Sequence, residues 1–372
     1  MPARALRVLH VPAVVGGHAI GLARAERELG LDSIVVSFDA PPFGYAPDEV
    51  LFARSRSLTR EVRRWTFLRR ALREADVVHF NFGSTILPRY WPSVHDAGAR
   101  RLYGMYARLV EGRDLAALRR AGKGIVVTYQ GDDARTAHTL RARVDADWID
   151  DYYDPRDDRR KNRMVARFAS AAHAIFALNP DLLDELPARA EFVPYAHVDP
   201  RRVQRVPLPD NRRPVVVHLP TDRRVKGTDA LVAAADELRA EGAQVDLRLV
   251  EGVPHVDALR AIVDADIVVD QLLTGWYGGV AVEAMAVGRP VVAHLHEPDL
   301  DRISRQQRAA LPVVDATPPT IAAVLRSLLE TDREPLATAS RAYVERWHDP
   351  LTIAERMRDA YEGAVAMTRT SR

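Results

Sequence analysis

The chain has 372 residues and no cysteine. The absence of cysteine excludes disulfide frameworks, thiolate metal sites and cysteine nucleophiles, and it is typical of proteins that work in a reducing compartment. No run approaches 18 consecutive apolar residues, and the first residues lead directly into a short apolar strand. We therefore expect a cytoplasmic protein with neither a membrane-spanning helix nor an export signal.

The chain also lacks a large surplus of either charge. Its net charge of +2 argues against bulk binding of nucleic acid, but residues 51–123 carry 16 basic and 6 acidic side chains. Within them, residues 60–73 have the pattern of a basic amphipathic helix, with Trp65, Phe67 and Leu68 near one side. Three uses stay open for this helix: packing on a core with its arginines solvated, peripheral contact with the anionic inner face of a membrane, or binding of a polyanionic acceptor.

Short runs rich in Val, Ile and Leu alternate along the chain with amphipathic stretches, and such runs are typical of strands buried on both faces. The predicted strands lie at residues 7–11, 33–38, 76–80, 124–129, 174–177, 191–193, 214–219, 245–250, 266–270, 289–293 and 312–314. Gly30, Gly242 and Gly288 each follow a helical stretch and precede a strand, as glycines at helix ends do. The pattern predicts the α/β class, with two Rossmann-like, doubly wound parallel sheets.

The two series of strands are separated by residues 199–214, which contain four prolines and no hydrophobic period. This composition predicts a linker between two domains. We expect an N-terminal, acceptor-binding domain at 1–198, a linker at 199–213 and a nucleotide-sugar-binding domain at 214–348. A final helical stretch at 349–372 is long enough to cross back onto the first domain.

The segment from Asp270 to Val292 has the most specific pattern in the chain. A strand ends at Asp270, a glycine-rich loop follows, and a helix begins near Gly278 and Gly279. The start of a helix presents unpaired N–H groups and partial positive charge, so this corner is predicted to bind phosphate. Glu283 lies one turn further on the same face, where its carboxylate can accept hydrogen bonds from sugar hydroxyls, unless it serves only the electrostatics of the helix start.

A second loop, residues 218–228, lies between the first strand of the second domain and a helix. Loops at this end of a parallel strand line the crevice where open α/β sheets bind ligands. Arg223 and Lys226 would place two cations there, which suits a diphosphate. As a solvated loop, the same residues carry no function.

These two segments together resemble the GT-B glycosyltransferases of family 4, whose donor-binding half carries a Lys-Gly helix start and an acidic residue ahead of Ala-Met-Ala-x-Gly-x-Pro-Val-Val. The matching residues are Lys226-Gly227 and residues 283–292, Glu-Ala-Met-Ala-Val-Gly-Arg-Pro-Val-Val. The resemblance spans the chain and is strongest in residues 214–297. It implies a retaining glycosyltransferase of the hexosyltransferase type, with a cleft between its domains, a nucleoside-diphosphate sugar as co-substrate (we expect a UDP-sugar) and no other cofactor.

The resemblance also implies roles for individual residues. Arg223 and Lys226 would hold the donor diphosphate, and Glu283 would hold the ribose. The donor sugar or phosphates would lie against the backbone of Tyr277, Gly278 and Gly279, and the turn at Gly16 and Gly17 would face the donor sugar across the cleft.

Two positions depart from the family pattern. The family usually has two glutamates separated by seven residues, and Gly275 stands where the first would contact the transferred sugar. The arginine that is usual five positions before the lysine is replaced by Thr221, so Arg223 is a substitute by proximity.

Loops of the first domain end strands on the same edge. Gly16 and Gly17 open a helix, but Gly-Gly-x-x-x-Gly lacks the spacing of a dinucleotide site, which disfavours a nicotinamide enzyme. The acceptor, a small molecule, a glycan or a lipid-linked sugar, is predicted to contact side chains of the later loops, His79, Gln130, Asp132 and Arg135. Two of these have plainer interpretations, since His79 can be a buried histidine satisfied by backbone and Asp132 a helix cap.

No metal site is predicted. Asp145-Ala-Asp147 and Asp264-Ala-Asp266 have the spacing of a metal-bound nucleotide-sugar site, but neither follows a strand with further oxygen ligands. Other functions stay open: a nucleotide-sugar 2-epimerase of the same architecture, an NAD-dependent dehydrogenase, and a sugar-nucleotide sensor without turnover.

Overall fold

The computed structural model describes residues 4–52, 57–87, 97–144, 149 and 152–370. Its strands form two sheets, in which every pairing is parallel. The first sheet has the order β3-β2-β1-β4-β5-β6-β7 and consists of β1 (Arg7–Pro12), β2 (Asp32–Ser37), β3 (Glu49–Val50), β4 (Val77–Asn81), β5 (Gly124–Tyr129), β6 (Ala174–Ala177) and β7 (Glu191–Phe192). The second has the order β12-β11-β10-β8-β9 and consists of β8 (Val215–His218), β9 (Asp246–Leu249), β10 (Ile267–Val269), β11 (Val291–Ala293) and β12 (Val314–Asp315).

Helices connect the strands. Those of the first half are α1 (His18–Glu28), α2 (Ser57–Glu74), α3 (Ala97–Val110), α4 (Arg113–Arg120), α5 (Ala137–Arg141) and α6 (Pro155–Ala171), with 3₁₀ turns at Pro42–Gly44 and Pro180–Asp184. Those of the second half are α7 (Arg223–Lys226), α8 (Thr228–Ala240), α9 (His255–Val263), α10 (Gly279–Ala286), α11 (Glu297–Leu300), α12 (Arg305–Ala310), α13 (Ile321–Glu330), α14 (Glu334–Trp347) and α15 (Pro350–Thr370). All residues of the central strands β4 and β5 are buried, because helices cover both faces of the sheet.

The predicted α/β class, with two doubly wound parallel sheets, is confirmed. Every predicted strand is present, and its ends lie within two residues of the expected positions. Gly30, Gly242 and Gly288 end their helices with φ of 87°, 94° and 79°, a backbone region that favours glycine. The sequence did not predict β3, because a strand of two residues has no run to recognise.

The last helix, α15, packs against α1 and the central strands of the first sheet. Its Tyr361 hydroxyl donates to Glu26 Oε1 at 2.7 Å, and His79 Nδ1 lies 2.7 Å from the same hydroxyl. Glu26 also lies 2.8 Å from His10 Nε2, so a buried polar network connects this helix to α1 and β1. A network whose members all have partners can hold a helix in one position on an otherwise apolar core.

Candidate active site

The two sheets face one cleft of about 390 Å³. In each sheet the strand order reverses beside its first strand, between β1 and β4 and between β8 and β10. Ligands of open α/β sheets bind outside the carboxyl ends of the strands at such a reversal. Loops after all four of these strands contribute to the cleft wall, which places both predicted half-sites around one space.

Lys226 and the start of α10 form a corner of the cleft in the second half. The Lys226 ammonium donates to Asp270 Oδ1 at 2.7 Å and to Gln271 Oε1 at 2.9 Å, and only 12% of its side chain is exposed. The Gly278 N–H donates to the other oxygen of Asp270. Gly278 and Gly279 line the cleft, and no side chain caps this helix start. The corner therefore presents an ammonium and backbone N–H groups to the cleft, with one carboxylate already between them.

A tight turn positions Lys226 at the end of the short helix α7. Asp222 caps α7 by accepting the Arg224 N–H at 2.9 Å. Gly227 then reverses the chain with φ of 74°, and a Cβ at this position would lie 3.0 Å from the Leu272 Cβ. Glycine is needed here because a larger residue would combine a strained φ with a steric contact.

Glu283 lies further along α10, and it is nearly buried in the cleft wall. Its Oε1 accepts a hydrogen bond from His255 Nε2 at 2.7 Å and lies 3.6 Å from His197 Nε2. The Glu283 hydrogen bond raises the pKa of His255. The Tyr45 ring of the first half packs against the His255 ring, with centroids 4.7 Å apart, so Glu283 lies where the two halves meet.

On the opposite wall, Asp132 is surrounded by donors. It accepts hydrogen bonds from the Tyr153 hydroxyl at 2.7 Å, from the Tyr152 hydroxyl at 3.1 Å and from Arg135 at 3.3 Å. Burial opposes ionisation of Asp132, but Arg135 and the hydrogen bonds outweigh it, so the pKa of Asp132 is lowered. Arg135 also pairs with Asp181 at 2.8 Å. Gln130, Asp132 and Arg135 all line the cleft, as a surface that can orient an acceptor hydroxyl.

Three predicted site residues lie outside this cleft wall. The Arg223 guanidinium pairs with Glu251 at 2.9 Å, and about half of its side chain is exposed. Tyr277 is buried behind the loop, and its hydroxyl lies 3.0 Å from the Tyr343 hydroxyl. His79 is buried inside the first sheet, and side chains rather than backbone satisfy it: the Tyr361 hydroxyl at Nδ1 and the Thr128 hydroxyl at Nε2.

Gly275, at the position of the missing family glutamate, leaves no room for a side chain. Its φ is 76°, and an added Cβ would lie 2.7 Å from the His296 Cβ. The preceding residue, Thr274, lines the cleft, and its buried hydroxyl has no hydrogen-bond partner in the described part of the chain. Side-chain contacts on this side of the cleft therefore come from neighbours of Gly275 such as Thr274.

The sequence missed several cleft residues that tertiary contacts bring in, namely His18, Tyr45, Asn179, His197, His255 and Thr274. His255 follows the carboxyl end of β9. Because ligands of open sheets bind outside the carboxyl ends of the strands, this position could have indicated His255 as a cleft residue. His197 follows β7 in a segment without a motif, and nothing in its sequence context indicated a position beside Glu283.

The described residues contain one group with the composition of a metal site, His10, Glu26 and His79. Their ligand atoms lie within 4.8 Å of one another, but the three residues are buried and already hydrogen-bonded to one another or to neighbouring side chains. Of the two Asp-x-Asp pairs, Asp266 accepts the Val215 N–H at 2.8 Å as a structural residue. Asp145 and Asp147 lie outside the described residues.

Comparisons with known proteins identify the fold. No model of a protein family matches the chain, and no curated protein matches it. Solved structures match over nearly its whole length. A sucrose-phosphate synthase from Thermosynechococcus elongatus superposes with a TM-score of 0.61 at 16% identity, covering 98% of this chain and 100% of that one. The fold is GT-B.

Two further GT-B neighbours were solved with nucleotides bound. HepE from Anabaena, in complex with UDP-glucose, has a TM-score of 0.55 at 14% identity, covering 99% of this chain and 100% of that one. Starch synthase IV from Arabidopsis thaliana, bound to ADP and acarbose, has a TM-score of 0.54 at 13% identity and covers 98% of this chain and 100% of that one. At identities this low, the structural matches establish the shared GT-B architecture but not the activity of the chain.

Proposed function

We propose that the chain is a glycosyltransferase, which transfers a sugar from a nucleoside-diphosphate sugar to an acceptor hydroxyl. The observation that carries this proposal is the convergence of Lys226, the start of α10 and Glu283 in one cleft wall, opposite Gln130, Asp132 and Arg135. The first group suits a nucleoside diphosphate, and the second group suits a hydroxylated acceptor. The sucrose-phosphate synthase and starch synthase IV are glycosyltransferases of the same fold, which agrees with this assignment.

In the proposed donor complex, the diphosphate lies against Lys226 and the free N–H groups at the start of α10. The Glu283 carboxylate has one oxygen on His255 and accepts ribose hydroxyls with the other. We retain the expectation of a UDP-sugar. The predicted diphosphate ligand Arg223 pairs with Glu251 outside the cleft wall, so the proposal relies on Lys226 and leaves the role of Arg223 to a test by substitution.

In the proposed reaction, the bond between the anomeric carbon and the diphosphate oxygen breaks, and the acceptor oxygen bonds to that carbon. The acceptor proton passes to the departing diphosphate. Lys226 and the α10 N–H groups stabilise the charge that develops on the leaving group. Asp132 is already engaged by three donors, so we assign it to orienting the acceptor rather than to taking its proton. The sequence resemblance supports the further proposals that the chain belongs to family 4 and that the reaction retains the anomeric configuration. The anomeric configuration of the product, read by NMR, tests retention.

We extend the proposal to the domain roles, with 1–198 binding the acceptor, 214–348 binding the donor and 199–213 linking them. The final segment, 349–372, returns to the first domain. Closing the cleft around both substrates would exclude water from the activated sugar and bring the reacting atoms together.

A panel of nucleoside diphosphates and their sugars tests the donor site by thermal shift. A ligand at a hundred times its Kd stabilises the native state by about 2.7 kcal/mol, so the cognate nucleotide raises Tm by several degrees. Glu283→Gln should weaken binding of that nucleotide but leave inorganic pyrophosphate unaffected, because pyrophosphate has no ribose. If no nucleotide of the panel shifts Tm, the proposed function is wrong.

Products then separate the proposed transferase from other enzymes with a sugar-nucleotide site. Transfer to an acceptor supports the proposal, whereas release of nucleoside diphosphate without any acceptor favours a 2-epimerase, and a sugar product inverted at C2 identifies it. Binding of NAD in place of sugar nucleotides identifies a dehydrogenase.

A further inference from the structure

His18, the first residue of α1, lies in the wall of the cleft. Its side chain is 2% exposed and borders the cleft beside Gly16 and Gly17. Its Nδ1 accepts a hydrogen bond from the Ala196 N–H at 3.1 Å. Its other nitrogen, Nε2, has no hydrogen-bond partner in the part of the chain that the structure describes.

The Ala196 contact determines which nitrogen of His18 carries the proton. A backbone N–H can only donate, so Nδ1 must be the unprotonated acceptor, and a neutral ring then has its proton on Nε2. A second proton on Nδ1 would place two donors against each other. Burial, with His197, His10 and His348 nearby, lowers the pKa of His18 to about 3, in agreement with a ring that stays neutral.

The surroundings of His18 favour an anionic oxygen as its partner. Gly17 precedes helix α1 and offers no side-chain cap, and the first turn of α1 has no acidic residue, so the free N–H groups of this helix start add partial positive charge. A Cβ on Gly17 would lie 2.9 Å from the His197 Cβ, and His197 Nε2 lies 3.2 Å from the Gly279 carbonyl oxygen. The starts of α1 and α10 therefore lie on either side of His197, one from each half of the molecule.

We propose that His18 donates a hydrogen bond from Nε2 to a phosphate oxygen of the nucleoside diphosphate bound in the cleft. This inference rests on the proposed function. It adds a contact to the nucleotide-sugar donor from the half that is proposed to bind the acceptor. Because Nε2 keeps its proton at neutral pH, His18 acts as a donor and not as a general base. Because His18 belongs to the first half, a diphosphate that contacts both His18 and the second half would hold the two halves together.

Two substitutions separate this role from a purely structural one. His18→Asn keeps an oxygen that accepts from Ala196 N–H but has no group at the position of Nε2. His18→Gln keeps an N–H donor near the position of Nε2 but loses the acceptor for Ala196. If His18 contacts the ligand, His18→Gln should bind the nucleoside diphosphate more tightly than His18→Asn does. If His18 has only a structural role, His18→Asn should bind it more tightly.

The experiment measures binding to the full chain by calorimetry at pH 7.5, first with UDP, GDP and ADP and then with inorganic pyrophosphate. Loss of a hydrogen bond to a charged oxygen predicts a Kd about tenfold or more higher for His18→Asn with both the best nucleotide and pyrophosphate. His18→Gln should stay within about threefold of the wild type. A wild-type Kd in His18→Asn overturns the proposal.

Histidine ¹⁵N NMR of the wild type decides the case in which both variants lose affinity. We expect an unprotonated Nδ1 in the free protein and a shift of the His18 Nε2–H resonance when UDP, GDP or ADP saturates the cleft. An unmoved resonance in a saturated complex overturns the His18 assignment and leaves the donor site intact. If the wild type binds none of the three nucleotides, the proposed function itself fails.

Discussion

At the scale of single residues, the positive charge of Lys226 is partly neutralised by a buried neighbour. Asp270 is 1% exposed and pairs with it at 2.7 Å, and the same carboxylate holds the Gly278 N–H. A buried carboxylate beside a cation removes most of the field that an incoming anion would experience. Additional donors, including the remaining N–H groups of α10, are therefore needed to bind a diphosphate tightly.

Lys226 and Arg223 provide a matched pair of variants on one turn. We expect Lys226→Ala to raise the Kd of the cognate nucleoside diphosphate by about ten- to a hundredfold, because a hydrogen bond to a charged group is lost and Asp270 is left uncompensated. Arg223→Ala should change it by about twofold or less, because Arg223 pairs with Glu251 outside the cleft wall. Calorimetry measures both, and an equal loss in the two variants would show that Arg223 reaches the bound donor.

Because His348 is buried, we expect the protein to lose stability in acid. It is buried between the Tyr195 carbonyl and the Tyr277 hydroxyl, and burial lowers its pKa to about 3. The unfolded chain binds a proton near pH 6.5 and the native state does not, so the free energy of unfolding falls as pH drops below about 6.5. From pH 7 to pH 5 this one residue accounts for about 2 kcal/mol.

Urea unfolding at pH 7 and pH 5 measures this difference in the free energy of unfolding for the wild type and for His348→Asn. The asparagine retains a donor for the Tyr195 carbonyl. We expect the variant to lose less stability than the wild type between the two pH values. Identical losses would mean that His348 titrates alike in both states.

The residue scale also separates the sequence predictions by type. Positions within the Gly278 to Glu283 helix could be located, because their mutual arrangement follows from helix geometry. Arg223, Tyr277 and His79 lie away from the cleft, since the direction of each side chain depends on partners distant in sequence: Glu251, Tyr343 and Tyr361.

At the scale of secondary structure elements, α2 and α3 form an apolar surface on the first half. Phe67 and Leu68 of α2 are buried, as the core-packed interpretation of residues 60–73 requires. Trp65 of α2 donates to the Tyr106 hydroxyl of α3 at 2.7 Å, which holds the two helices together. The exposed side chains of this surface are Val62, Trp65, Leu102, Met105 and Leu109, and exposed arginines of both helices accompany them.

Exposed apolar side chains among arginines suit the surface of an anionic bilayer. None of the described helices combines the length and the hydrophobicity that a membrane span requires. We expect the protein to sediment with vesicles that contain phosphatidylglycerol and to do so less as salt increases. Leu102→Asp with Leu109→Asp should abolish this binding.

Met367→Asp in α15 serves as the control, because this exposed methionine lies on another helix. Unchanged sedimentation of the double variant, or equal loss in the control, would exclude the α2 and α3 surface as a membrane contact.

At the scale of the whole molecule, an ion network joins the two halves beside the cleft. Arg143 of the first half binds both carboxylate oxygens of Asp299 in the second half, at 2.5 and 3.1 Å. It also contacts Asp184, which Arg302 of the second half binds in turn. The Asp299 side chain is fully buried, so separating the halves would require this charge to find new partners.

Arg143→Ala tests whether this network keeps the cleft closed. We expect the ligand-free variant to have a larger radius of gyration in small-angle scattering, because Asp299 gains hydration when the halves separate. Arg239→Ala, which removes an ion pair within α8, should leave the radius unchanged. A variant as compact as the wild type would indicate that the remaining contacts, such as Tyr45 on His255, are sufficient.

The sequence alone determined the α/β class, the positions of nearly all strands, and the glycine-rich helix start with Glu283 one turn behind it. These features depend on hydrophobic period and on helix geometry, which act over a few residues. The tertiary structure decided the rest: that Asp270 pairs with Lys226, that His197 lies between the starts of α1 and α10, and that Arg143 joins the halves. Such contacts connect residues far apart in the chain, so no local pattern encodes them.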